Sequence, residues 1–173
     1  MTVETMWEGR FLAVRKQGNW EYAERQGEIA AAVIVATDPD GRLVLVEQYR
    51  VPIGRNCIEL PAGLVGDETA GEAVIDGARR ELEEETGYRA GRIEDCGLFY
   101  SSPGMTSECF TIVRATDLVR VGEGGGTAEE GITVHHVMPA DVPRFIAERR
   151  AAGLGIDAKI LLLLDIATVE RSS

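Results

Sequence analysis

Between Arg80 and Gly87 the chain reads Arg-Glu-Leu-Glu-Glu-Glu-Thr-Gly, placing four glutamates within five consecutive positions. Upstream, Val74, Ala78 and Leu82 recur every four residues, the apolar stripe of a helix lying on a core. Glu72 to Thr86 is therefore expected to be helical, with Gly87 as its C′ residue. On such a helix Glu81 and Glu85 share a face, and Glu84 adjoins Glu81. Like charges at these spacings destabilise an isolated helix by a few tenths of a kcal/mol per pair, roughly, so folding does not ask for them. Two readings remain open from the helix alone. One is a solvated acidic surface with an Arg80–Glu84 pair. The other is a set of hard oxygen ligands for Mg²⁺ or Mn²⁺.

The acid is not confined to this helix. The 173 residues carry 29 acidic against 18 basic side chains, a formal net charge of −11. That balance argues against nucleic-acid or anionic-membrane partners, which need a basic footprint. The longest apolar run, near Ile160 to Leu164, is too short to span a bilayer. Glu4 and Glu8 stand where a secretory signal would carry lysines, so a cytoplasmic protein is expected. Cys57, Cys96 and Cys109 lack zinc or disulfide spacing and read as buried or partly buried thiols.

Residues 1–28 read as N-terminal strands turning at Gln17-Gly18-Asn19, a separate sheet or dimer arm, and 29–173 as the main domain. Runs at 29–37 and 42–49, joined by Asp38-Pro39-Asp40-Gly41, predict a β-hairpin. Residues 51–71, punctuated by proline and glycine, read as irregular. Strands are expected near 92–100, 108–115 and 132–138, and helices over 141–150 and 156–170. This order predicts an α+β fold, an α/β/α sandwich around a mixed sheet, with antiparallel N-terminal strands.

Gly66, five residues, Glu72, seven residues, then Arg80-Glu81-Leu82-Glu83-Glu84-Glu85-Thr86-Gly87-Tyr88 resembles the signature of the Nudix hydrolases. Only Tyr88 departs from it, replacing an aliphatic residue. The resemblance implies a Nudix fold and hydrolysis of a nucleoside diphosphate linked to another group, with two or three Mg²⁺ ions and Mn²⁺ as a substitute. It makes Glu81, Glu85 and Glu84 metal ligands, with Glu84 also a candidate for the catalytic step. Arg80 then orients the glutamates, Glu83 is solvated surface, and Glu72 braces the loop.

Further segments resemble the ADP-ribose and nucleotide-sugar pyrophosphatase branch: Val46 to Arg50, Glu59-Leu60-Pro61-Ala62-Gly63, Ser101 to Glu108 and Ile156 to Lys159. With the helix, they extend the resemblance over about residues 5–167. It implies a metal-ligating carbonyl at Ala62 and a diphosphate clamp at Arg50, whose alternative is a surface pair with Glu47. Glu59 either accepts hydrogen bonds or binds an outer metal, or else holds its own loop. Gly104 and Met105 fall in a substrate-recognition turn. Glu108 faces nucleotide or metal, or caps that turn. Glu130, then Glu129, corresponds to a general base on a glycine-rich loop, with Glu123 a more distant alternative; an exposed acidic loop is the plain reading. His135 and His136, in a strand, read as structural. The resemblance also implies a homodimer, with Trp20 contacting a nucleobase or packing in the interface. The departure is at Gly63: it precedes Glu72 by nine residues, a three-residue insertion if Gly63 keeps the role beside Ala62. The implied substrate is ADP-ribose, the alternatives being GDP-mannose or another nucleotide hexose, or a non-catalytic nucleotide sensor.

Overall fold

The computed structural model describes residues 2–27, 30–65, 72–127 and 130–161. Eleven strands and two α-helices are assigned among them. β1 (Glu4–Glu8), β2 (Leu12–Gln17) and β3 (Trp20–Arg25) form an antiparallel sheet of their own, in the order β1-β2-β3. This agrees with the expected N-terminal strands and with the turn around Gly18. The sheet meets the rest of the molecule where Ala23 bridges Thr106, with Ala23 N–H donating to Met105 O at 3.0 Å.

Two four-stranded sheets make up the remainder. One has the order β7-β4-β9-β8, from β7 (Ala62–Val65), β4 (Ala30–Ala36), β9 (Cys109–Arg120) and β8 (Tyr88–Tyr100). The other has the order β10-β5-β6-β11, from β10 (Thr133–Val137), β5 (Leu43–Arg50), β6 (Arg55–Glu59) and β11 (Gly155–Ile156). Each combines parallel and antiparallel pairs, as β4 runs parallel to β9 and β11 parallel to β6. The mixed-sheet expectation is met.

Alternation explains the layering. On β4, Ala32, Ile34 and Ala36 join one core cluster while Val33 joins the other, so both faces are buried. A strand buried on both sides reads as a continuous apolar run. The first cluster packs against α1 (Val74–Thr86) through Ala78 and Leu82. The second packs against α2 (Val142–Ala151) through Val142 and Ile146. Helices thus cover both sides, giving the α/β/α arrangement. Gly87 ends α1 as expected, its N–H donating to Glu83 O at 2.9 Å.

Several sequence expectations need correction. β4 and β5 are not a hairpin: a single bridge, Thr37 to Leu43, joins them before they enter different sheets. Both strands are buried on both faces, and a tight turn signal reports chain reversal without disclosing which sheet each strand joins. The 51–71 stretch is not irregular throughout, because β6 and β7 lie within it. Its prolines and glycines mark the strand ends: Pro52 sits in a short 3₁₀ turn and Pro61 between the two strands. Ile156 belongs to β11 rather than a helix; helical residues begin at 159, and 162–170 lie outside the described residues. Cys57 is buried and Cys109 half-buried, but Cys96 is exposed, within β8 where its pairing with β9 shifts register. Among the described residues, no helix is long and apolar enough to cross a membrane.

Candidate active site

The C-terminal half of α1 is the anchor. Glu85 lies on the core-facing side, only 4% exposed, beside Leu82 and Thr86. Its carboxylate accepts a hydrogen bond from Ala62 N–H at 3.1 Å, which ties the helix to β7. Burial pushes its pKa from 4.5 up to about 8; the charges of Glu81 and Glu130 add to the rise, while the Ala62 bond and Arg50 oppose it. A buried carboxyl raised this far is a group whose ionised form lacks compensation. A divalent cation would supply it.

Glu81 faces the same strand. A Cβ at Gly63 would fall 1.9 Å from the Glu81 carboxyl carbon, so a side chain there would displace this carboxylate from its place beside β7. The three-residue offset of Gly63 therefore does not displace it from the helix. Gly66, which gives the signature its usual spacing, lies outside the described residues.

Arg80 organises the opposite flank. Its guanidinium reaches Glu72 at 3.4 Å, Glu81 at 2.9 Å, Glu84 at 3.2 Å and Leu64 O at 3.2 Å. Partial burial works against its charge, but the bond to Glu72 and the charges of Glu81 and Glu84 outweigh that and raise its pKa. Arg80 thus joins Glu72 to Leu64 O, and Glu83 is held at the surface by two bonds from Arg89, at 3.0 and 2.9 Å. With Glu81 and Glu84 turned to Arg80 and Glu85 to Ala62, no group of three ligating side chains is drawn together among the described residues. The donor set still suits Mg²⁺: three carboxylates from one helix end, one of them buried and destabilised when charged.

Next to Ala62 and Gly63 opens a cleft of about 330 Å³, which also contains Arg50, Glu59, Glu108 and Arg25. The same four residues line an adjoining hollow of about 890 Å³ that extends toward Arg55 and Asp157. These volumes are those of ligand pockets. Arg50 forks onto Glu59, at 2.7 and 2.8 Å, not onto Glu47. Opposed pairing explains the choice: Val46 faces Glu59 across the β5–β6 ladder, while Glu47 faces Ile58 and points to the other side of the sheet. There Glu47 is bound by Asn56 at 2.9 Å and His135 at 3.0 Å. His136 meets Asp38 at 3.2 Å. Both histidines are thus tied into the sheet.

Glu108 accepts from Arg25 at 3.1 Å and from Ser101 Oγ at 3.0 Å. Arg25 is the lining residue that motif reading missed; it sits 83 positions from Glu108, and only the docking of β3 brings it there. Lys159, at the start of the last helical segment, lines the same cleft and lies over the Phe110 ring at 5.6 Å. Trp20 and Gly104 gather elsewhere, around a hollow of about 240 Å³ between the N-terminal sheet and the 101–108 turn. Met105 is exposed.

The glycine-rich loop closes over the end of α1. Gly125 N–H donates to Glu85 O at 2.8 Å and Gly126 N–H to Glu84 O at 3.0 Å. Gly124 has φ of 72°, and a Cβ there would strike the Thr86 backbone at 2.4 Å. This docking brings Glu130 close enough for its charge to act on Glu85. Glu129 lies outside the described residues.

The NUDIX domain model matches residues 27–143. The chain belongs to the Nudix family. It is 40% identical over 89 residues to an ADP-ribose pyrophosphatase of Bacillus subtilis, covering 51% of this chain and 46% of that one. It is 34% identical over 142 residues to a GDP-mannose pyrophosphatase of Cronobacter sakazakii, covering 78% and 70% respectively. This Nudix chain spans about half the length of the first of the curated relatives it matches. Its fold is similar to a crystal structure of an ADP compounds hydrolase, with a TM-score of 0.73, 22% identity, and coverage of 99% and 94%.

Proposed function

We propose that this Nudix domain hydrolyses the diphosphate linkage of ADP-ribose or a related nucleoside diphosphate sugar, releasing a nucleoside monophosphate and a sugar phosphate. The carrying observation is the juxtaposition of the buried Glu85 carboxylate with a cleft where Arg25, Arg50, Glu59 and Glu108 converge. An ADP-ribose pyrophosphatase and a GDP-mannose pyrophosphatase among the relatives support the substrate class, the second keeping a nucleotide hexose in play.

Glu81, Glu84, Glu85 and the Ala62 carbonyl would hold two or three Mg²⁺ ions, or Mn²⁺. When bound, such ions neutralise a diphosphate and make water more acidic. Arg50, held in orientation by Glu59, presents a planar guanidinium to a phosphate oxygen and opposes the charge that develops as the P–O bond breaks. Glu130 takes the proton of the attacking water on its carboxylate, while the second phosphate departs with the bridging oxygen. Glu129 stands as the alternative base. Glu108, fixed by Arg25 and Ser101, accepts hydrogen bonds from the nucleotide or its ribose. With ADP-ribose the products are AMP and ribose 5-phosphate.

The working form is proposed to be a cytoplasmic homodimer. Trp7, Phe11, Trp20, Leu98 and Tyr100 are large apolar side chains left more than half exposed on the N-terminal sheet and the end of β8. Exposed apolar side chains of this kind support an interface reading. In a dimer, the Trp20–Gly104 hollow and Met105 would abut a partner, where Trp20 could stack on a nucleobase. A monomeric mass by light scattering at assay concentration would remove this part of the proposal.

The test of substrate is a panel of ADP-ribose, GDP-mannose and UDP-glucose compared by kcat/KM with products identified. ADP-ribose is expected to lead. A lead by GDP-mannose would transfer the assignment to nucleotide hexoses, and absence of turnover across the panel would contradict the enzymatic reading.

A further inference from the structure

We propose that Thr127 is the positioning residue for Glu130. The inference rests on the reading of Glu130 as general base and adds what holds it in place. Two groups of Thr127 converge on one oxygen of the Glu130 carboxylate: the backbone N–H at 2.7 Å and the hydroxyl Oγ1 at 3.0 Å. Glu130 N–H returns a bond to Thr127 O at 3.1 Å. Glu130 is exposed. An unrestrained glutamate on a surface loop samples several conformers, and fixing it costs side-chain entropy. Thr127 supplies that restraint in advance.

The position of Thr127 is itself dictated by α1. Gly125 and Gly126 donate to the carbonyls of Glu85 and Glu84, so the residue that follows is hung from the helix end that carries the acidic cluster. Gly126 completes the arrangement: with φ of 65°, a Cβ there would lie 2.6 Å from the bonded Glu130 oxygen. A side chain at 126 would evict the carboxylate from its seat. The chain of contacts runs from the α1 carbonyls through two glycines to Thr127 and then to Glu130. Because both Thr127 donors grip Oε2, Oε1 is the oxygen left to accept a proton from water.

The test is a double-mutant cycle with ADP-ribose and Mg²⁺ at a single pH. Thr127→Val keeps shape and the backbone N–H but removes the hydroxyl donor. It is expected to lower kcat about tenfold with KM within about twofold, the scale of one lost hydrogen bond to a charged group. Thr127→Ser, which retains the hydroxyl, is expected to recover most of kcat. In a Glu130→Gln background, where no base remains to position, Thr127→Val should add nothing. Undiminished kcat in Thr127→Val would overturn the proposal. So would an equal further loss in the Glu130→Gln background, which marks a merely structural role. If Glu130→Gln itself turns over at the wild-type rate, the general-base reading fails and the role of Thr127 fails with it.

Discussion

Glu85→Gln should stabilise the metal-free protein and, in the same stroke, abolish its response to magnesium. The carboxyl is 4% exposed and its pKa is pushed from 4.5 to about 8 by burial, with Glu81 and Glu130 adding. Below about pH 4.5 both folded and unfolded states hold the proton. Between there and about pH 8 the unfolded chain releases it while the folded chain keeps it, so stability declines as pH rises and levels off above 8. At about 1.4 kcal/mol per pH unit, the cost at pH 7 is on the order of 3 kcal/mol. Glutamine does not titrate, and its carbonyl can accept the Ala62 N–H. For a domain of this size that saving corresponds to a Tm higher by roughly 6–12 °C. Thermal melts in EDTA at pH 5 and pH 8 measure it directly: the variant should gain little at the lower pH and most at the higher. Adding Mg²⁺ should raise the wild-type Tm and leave the variant nearly unmoved. A variant less stable than wild type in EDTA at pH 8, or a gain independent of pH, would refute the assignment of Glu85 as an uncompensated buried carboxyl.

Other consequences follow from the same geometry. Glu85→Gln should also lower kcat by more than about tenfold, whereas Glu83→Gln, which loses only its surface pair with Arg89, should stay within about twofold; steady-state kinetics on ADP-ribose compares them. Gly63→Ala forces a methyl into the Glu81 carboxylate, and calorimetric Mg²⁺ titration should show affinity weakened by about tenfold or more. Gly124→Ala collides with the Thr86 backbone and should free the 122–127 loop from α1, seen as faster amide exchange at Gly125 and Gly126. Arg25→Ala unties Glu108 and should raise KM more than it lowers kcat; the reverse pattern would place Arg25 in the chemical step.

Much of this fold was readable where a residue's surroundings are local. The stripe of Val74, Ala78 and Leu82, the Gly87 stop and the glutamates of α1 lie within one helix, and their spacing alone determines which side chains share a face. β6 and β7 escaped because Pro52, Gly54, Pro61 and Gly63 look like loop punctuation, whereas they stand at turns and at a close approach to Glu81. The split of β4 from β5 escaped because an Asp-Pro-Asp-Gly turn reports chain reversal, not which sheet each strand joins. Within the site, Arg50 was found but not its partner: Glu47 and Glu59 are both plausible by composition, and only strand pairing separates the two faces. Arg25 left no local signal. Its role depends on the docking of the N-terminal sheet through Ala23, a long-range contact without a motif. Thr127 was adjacent to a recognised loop, yet nothing in its spacing announced a grip on Glu130.

The excess acid takes on a narrower meaning in three dimensions. Among the described residues, most of it pairs with basic side chains or faces water, as Glu83 does with Arg89 and Glu24 with Arg15. Glu85 alone among the α1 glutamates is buried, and there the negative charge most requires a counter-ion. The decisive measurement is the product analysis of ADP-ribose incubated with the purified chain, in Mg²⁺ and in EDTA. AMP and ribose 5-phosphate should appear in equal amounts with Mg²⁺ and cease to form in EDTA. Cleavage undiminished by EDTA, or no monophosphate from ADP-ribose, GDP-mannose or UDP-glucose, would contradict the account.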